Sequence, residues 1–227
     1  MFDSFIQEWV KFQDEIIKGL TETLFMLLIS FIVSMILGTI IGVLIALCGK
    51  QKPFENRYIE VPLTILVNVI RSIPFILLMI IMVPLSRLII GTGYGIYASM
   101  ISLSVIGTAV VARLVEQSIT DINPHIYETA KSLGATKLQT FFHFIIIEAR
   151  TSLILGYTSA IISLIAYSTV VGVINGGGLG FLAMEEGFYM WNQTLMWIII
   201  IVMVILVQIV QMIGSFLARI SDKKRKV

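Results

Sequence analysis

Charge is what this sequence has least of. Asp, Glu, Lys and Arg make up only 13% of its 227 residues, about half the roughly 25% usual in soluble domains. With 57% hydrophobic residues and a mean hydropathy of +0.96, a water-soluble fold would expose too much apolar surface. The solvent for most of the chain is therefore lipid. A net charge of +2 leaves no basic field for nucleic acid. The single cysteine, Cys48, excludes an intrachain disulfide and a cysteine-based zinc cage, and reads as a small apolar helix residue. The two histidines, His125 and His143, have no Cys or carboxylate at ligand spacing, so no metal site is expected. No nucleophile–base constellation suggests catalysis. The opening Met-Phe-Asp-Ser-Phe-Ile-Gln-Glu lacks a basic start before a short apolar core, so no cleavable signal is expected. Internal duplication of the kind that builds inverted-repeat transporters is absent too.

What the chain does have is long uncharged runs. They lie at Thr23–Gly49, Leu88–Ala112, Thr151–Met184 and Phe188–Ala218, with a further run, Val61–Ser86, interrupted only by Arg71. About 20 apolar residues cross a bilayer core as helix. Trimming at Gly, Pro and Asn predicts an all-α integral membrane fold of five spans near 23–47, 61–84, 96–115, 152–173 and 195–217.

Lys and Arg set the orientation. A cytoplasmic C-terminus puts Lys50, Lys52, Arg57, Arg113, Lys131, Lys137, Arg150, Arg219 and the tail Lys223-Lys224-Arg225-Lys226 on the inner side. Only Lys11, Lys18 and Arg87 then fall outside. An odd number of spans places the N-terminus outside, 121–148 in the cytoplasm and 175–186 outside. Residues 1–19 form an extracytoplasmic amphipathic segment, with Phe5, Ile6, Trp9, Phe12 and Ile16 at helical spacing, expected to lie on the outer membrane face. Residues 20–217 form the membrane domain, and 218–227 a basic cytoplasmic tail facing anionic lipid.

Small residues recur every fourth position in the first span, at Ser34, Gly38, Gly42 and Ala46, and again in the third at Ser104, Thr108 and Ala112. Such stripes let helix backbones approach closely in lipid. Five helices are few to enclose a polar path, so a homodimer with the path at its two-fold axis is expected.

The polar stretch Glu128–Glu148 stands apart from these runs. Asn123-Pro124 is a turn that starts a short helix carrying Glu128 in its first turns, and Gly134 interrupts it. Helix then resumes from Lys137. Glu128-Thr129-Ala130-Lys131-Ser132-Leu133-Gly134 resembles the EAA loop of type I ABC-importer permeases, Glu-Ala-Ala followed after three residues by Gly. The resemblance implies that fold and a coupling helix that docks in a cytoplasmic ATPase subunit through Glu128, Thr129, Ala130, Gly134 and Ala135. Thr129 stands where the family has its first Ala, and Ile147 where it has Pro.

Two further segments narrow the resemblance. Arg71-Ser72-Ile73-Pro74-Phe75 and Asn175-Gly176-Gly177-Gly178-Leu179-Gly180 together are similar to methionine ABC-importer permeases. Arg71 is a costly residue for a span, at roughly 2.5–3.5 kcal/mol, with no acid in any predicted span to pair with. It either satisfies the carbonyl freed by Pro74 at a kink or faces the path and meets a substrate carboxylate. Ser72, Pro74, Ser163 and Tyr167 are the other candidate path residues, although interhelical hydrogen bonds explain the serines equally well. Gly176, Gly177, Gly178 and Gly180 form an outer loop, either flexible backbone touched by a binding protein or a plain loop; no Lys-Ser/Thr follows to make it a phosphate cradle. The methionines read as packing residues.

The implied function is that of the permease subunit of an ATP-driven importer for L- or D-methionine in a bacterial cell membrane. The implied partners are a cytoplasmic ABC ATPase dimer, an extracytoplasmic substrate-binding lipoprotein, a second copy of the chain and lipid. The chain needs no cofactor of its own, ATP and magnesium belonging to the ATPase. The same machine carrying glycine betaine, choline or another amino acid is the nearest alternative. An autonomous secondary transporter or channel would call for intramembrane carboxylates or repeats.

Overall fold

The computed structural model describes residues 2–50, 52 and 54–222, with the backbone alone for 2–4. The tail's Lys223-Lys224-Arg225-Lys226 lies outside the described residues. Among those described, every regular element is helical: α1 (Phe2–Cys48), α2 (Arg57–Ser72), α3 (Phe75–Ile90), α4 (Ile96–Thr120), α5 (His125–Ser132), α6 (Lys137–Gln139), α7 (Ile146–Val171), α8 (Gly178–Leu182) and α9 (Gln193–Ser221). Four helical stretches, Phe5–Cys48, Ile96–Thr120, Lys137–Ile174 and Gln193–Ser221, are long and apolar enough to cross a membrane. The pair α2 and α3 makes a fifth when taken as one broken span.

The span expected over 61–84 is interrupted by that break, at the proline expected to kink it. Pro74 has no N–H to donate and disfavours helical geometry at Ile73, so α2 stops at Ser72 and α3 begins at Phe75. The opening segment also departs from expectation. No break separates it from the first span, and α1 runs unbroken for 47 residues, about 70 Å at 1.5 Å per residue. Phe12 and Ile16, expected to rest on lipid, are buried against Leu179, Leu195 and Ile199.

The chain divides into two compact units. The first comprises Met1–Val33, Ile73–Gly107 and Ile161–Val210. Its core joins Phe12 and Ile16 of α1 to Leu179 and Leu182 of α8 and Leu195, Ile198 and Ile199 of α9. The Ser30 hydroxyl donates to the Met100 carbonyl at 3.3 Å, tying α1 to α4 in a core with little water to bond instead.

The second comprises Ser34–Ser72, Thr108–Ala160 and Gln211–Val227. The small-residue stripe of α1 does here what its spacing predicted. A Cβ on Gly38 would stand 2.7 Å from that of Val111, and one on Gly42 would strike the Ala112 carbonyl, so only glycine admits α4 this close. Tyr157 and Thr39 hydroxyls hydrogen-bond at 2.8 Å between α7 and α1, and Ser152 donates to Ser118 at 3.1 Å between α7 and α4. The buried cluster of Val111, Val115, Ile119, Ile122, Ile145 and Ala149 underlies α5 and its flanks.

Candidate functional site

Local chemistry builds the polar elbow. Asn123 Oδ1 accepts from the His125 N–H at 3.0 Å, and Pro124 precedes the first turn, where its missing N–H costs nothing. Eight residues later α5 ends in a Schellman motif. The Ala135 N–H donates to Ala130 at 3.0 Å and the Gly134 N–H to Lys131 at 3.1 Å. That closure needs a left-handed residue, and Gly134 supplies φ +70°. Thr136 then opens the next helix with a capping box. Its hydroxyl accepts from the Gln139 N–H at 3.3 Å, and Gln139 Oε1 accepts from the Thr136 N–H at 2.9 Å.

The five residues of the expected coupling loop separate by role. Ala130 is fully buried, so it seats the helix. Glu128 and Thr129 point outward. Glu128 Oε2 lies 3.0 Å from His125 Nδ1, and the Thr129 hydroxyl donates to the His125 carbonyl at 2.8 Å. Gly134 is exposed and Ala135 half-buried at the corner. Around them Leu133, Leu138 and Phe142 are 71%, 63% and 59% exposed.

Ile147 sets the course of the helix beyond the elbow. With no proline to remove a donor, helix continues from α6 through a π turn, Thr140–Ile145, into α7. The kink that the family's proline would impose is absent.

Arg71 and Ser72 form the exposed C-terminal end of α2, at the break of the α2–α3 pair. A cation there is favoured by the helix dipole and by the carbonyls of the last turn. The Ser72 hydroxyl donates to the Asn68 carbonyl at 2.8 Å. In the first unit, Pro74 caps α3, and Phe75 beside it packs on Tyr167 of α7 with ring centroids 4.7 Å apart. Ser163 lies one turn before Tyr167 and is half-buried.

The Gly-rich stretch is closely packed. Gly176, Gly178 and Gly180 are buried where the chain folds back on the end of α7. A Cβ on Gly180 would lie 2.6 Å from the Thr169 carbonyl oxygen. The N-terminus of α8 is capped by another helix. Glu22 Oε2 accepts from the Gly178 N–H and Thr23 Oγ1 from the Leu179 N–H, both at 2.9 Å. Nothing in the sequence around Glu22 pointed to residues 156 positions away. Equally silent in the sequence was a contact of the second unit, where Lys52 Nζ donates to the Tyr127 hydroxyl at 3.4 Å.

The chain matches the family described as binding-protein-dependent transport system inner membrane component over residues 38–227. It is 33% identical over 220 residues to the probable D-methionine transport system permease protein MetI of Vibrio cholerae serotype O1, covering 96% of this chain and 98% of that one. It is also 33% identical to the methionine import system permease protein MetP of Bacillus subtilis over 181 residues, 80% of this chain and 82% of the relative. A solved structure, the inward-facing MetNI methionine ABC transporter, superposes with a TM-score of 0.88 at 31% identity, over 92% of this chain and 96% of that one.

Proposed function

The chain belongs to the family of binding-protein-dependent transport system inner membrane components, and from that membership we propose that it is the permease subunit of an ATP-driven importer carrying methionine into the cell. It is a multi-pass membrane protein. The observation that carries the reading is the elbow, a short helix locked by caps at both ends, seated through Ala130 and presenting Glu128 with Leu133, Leu138 and Phe142. Caps make it rigid, so force applied to its face moves the cores beneath it instead of unravelling it. Methionine as the cargo is supported by the named relatives and by the superposed transporter.

On this reading the C-terminus and the elbow face the cytoplasm, as the Lys and Arg bias favours. Glu128, Thr129, Ala130, Gly134 and Ala135 engage the groove of an ABC ATPase that binds ATP and magnesium and hydrolyses the nucleotide. Two copies of the chain enclose the path, with Arg71, Ser72, Pro74, Ser163 and Tyr167 near it. Closing of the ATPase pair selects the outward-facing state, and its differential binding of the two states supplies the free energy. An extracytoplasmic binding protein delivers substrate at the far side, close to Gly176, Gly177, Gly178 and Gly180.

Reconstitution with the ATPase and binding protein tests the reading through uptake of labelled L- and D-methionine. ATP-dependent accumulation of one or both isomers is expected. Accumulation of neither, with the ATPase active, overturns the cargo.

A further inference from the structure

A cavity of about 540 Å³ opens in the second unit beside the Gly134 corner, lined by Lys52, Lys131 and Lys137 with Tyr127, Thr140 and the Gly134–Ala135 backbone. No carboxylate is among its described lining residues. Its neutral donors are already committed. The Gly134 and Ala135 N–H groups serve the Schellman closure, and the Thr140 hydroxyl donates to the Thr136 carbonyl at 3.0 Å. What remains for a guest is three ammonium groups and the Tyr127 hydroxyl.

Two of the ammonium groups are held in place. Lys52 Nζ stands 4.5 Å from the Tyr127 ring centroid and donates to its hydroxyl at 3.4 Å. Lys137 Nζ stands 5.5 Å from the Phe54 ring centroid. Aromatic faces fix a cation's position without neutralising it. Burial also pushes the Lys52 ammonium below the usual lysine range and the Tyr127 phenol above its own. The ammonium therefore lacks part of its hydration, and the phenol keeps its proton to donate.

We propose that this cavity binds a phosphate group, with Lys52, Lys131, Lys137 and Tyr127 as its donors. Several acceptor oxygens and up to two negative charges match three cations and a hydroxyl better than a carboxylate does. The volume exceeds what free phosphate fills and falls in the range of small-ligand pockets, so a phosphate carried on a lipid headgroup fits as well. Occupancy joins Lys52, which precedes α2, to the elbow, and stiffens the corner at Gly134. The proposal stands apart from the transport reading, because binding is measured without uptake.

The test uses the full chain in nanodiscs. In one arm the discs are phosphatidylcholine and inorganic phosphate and pyrophosphate are titrated by calorimetry. In the other the discs contain phosphatidylglycerol, and native mass spectrometry counts the lipid retained by the protein. The expected result is binding in at least one arm that falls tenfold or more in K52Q/K131Q/K137Q, while K50Q, an exposed lysine outside the cavity, behaves as wild type. The responding arm identifies the source of the phosphate. Should the triple variant fail to fold, K131Q and Y127F alone must each weaken binding severalfold. No binding in either arm, equal binding by wild type and variants, or an equal loss in K50Q overturns the proposal.

Discussion

Gly134 shows how one residue can matter through backbone alone. Its φ is +70° and no atom would lie within 4 Å of an added Cβ, so a side chain there meets open space and only conformational strain. Left-handed geometry costs a non-glycine residue roughly 1–2 kcal/mol. Gly134→Ala is therefore expected to insert normally, lose about 1 kcal/mol at the elbow, and weaken stimulation of the ATPase more than it lowers the melting midpoint. Paired melting and ATPase measurements separate the two effects. Glu22 acts through its carboxylate instead. Glu22→Ala leaves the buried Gly178 N–H without an acceptor, and loss of such a cap costs about 1 kcal/mol or more. Glu22→Gln keeps a carbonyl oxygen in reach and is expected to retain most of that stability in a detergent melting series.

The elements show where apolar pattern reads well and where it is blind. The α1 stripe at Gly38 and Gly42 forecast a close helix contact, and α4 meets it there. Gly42→Leu is expected to destabilise the protein by about 1–3 kcal/mol through overpacking, whereas Ile40→Leu on the exposed face of α1 changes stability little. Thermal unfolding in one detergent compares them. Proline placement is as informative. Pro74 ends α2, while Ile147 lets α6 flow into α7. Ile147→Pro removes a helical N–H and crowds the preceding turn, a loss of about 3 kcal/mol in a helix interior. Low folded yield is expected. The Gly-rich stretch was ambiguous for a simple reason. Glycine serves flexibility and close approach alike, and which applies depends on what the neighbouring backbone does.

For the whole molecule, the proposed transport of methionine draws on residues that α2 and α7 carry in different units. Arg71 lies exposed at the end of α2, where a cation is tolerated structurally and available chemically. If it guides a carboxylate, Arg71→Leu leaves assembly and ATPase stimulation intact and lowers methionine uptake tenfold or more. If it only satisfies the helix end, Arg71→Leu and Arg71→Lys both transport at near wild-type rates. Uptake and ATP turnover measured on the same reconstituted complex decide between them. The elbow lies in one unit and the Gly-rich stretch in the other, while α1, α4, α7 and α9 contribute residues to both.

Composition and periodicity by themselves determined that this is a helical membrane protein. Lipid forces every apolar run of sufficient length into helix, and the scarcity of charge leaves no other solvent. Local spacing likewise determined the elbow, because caps, Gly134 and the Asn123-Pro124 turn act within a few residues of one another. Only the tertiary structure decided the capping of α8 by Glu22 and Thr23, the burial of the glycines and the gathering of Lys52 with Lys131 and Lys137. Each of these depends on a partner distant in sequence or on how a freed backbone group is satisfied, and no single segment carries that information.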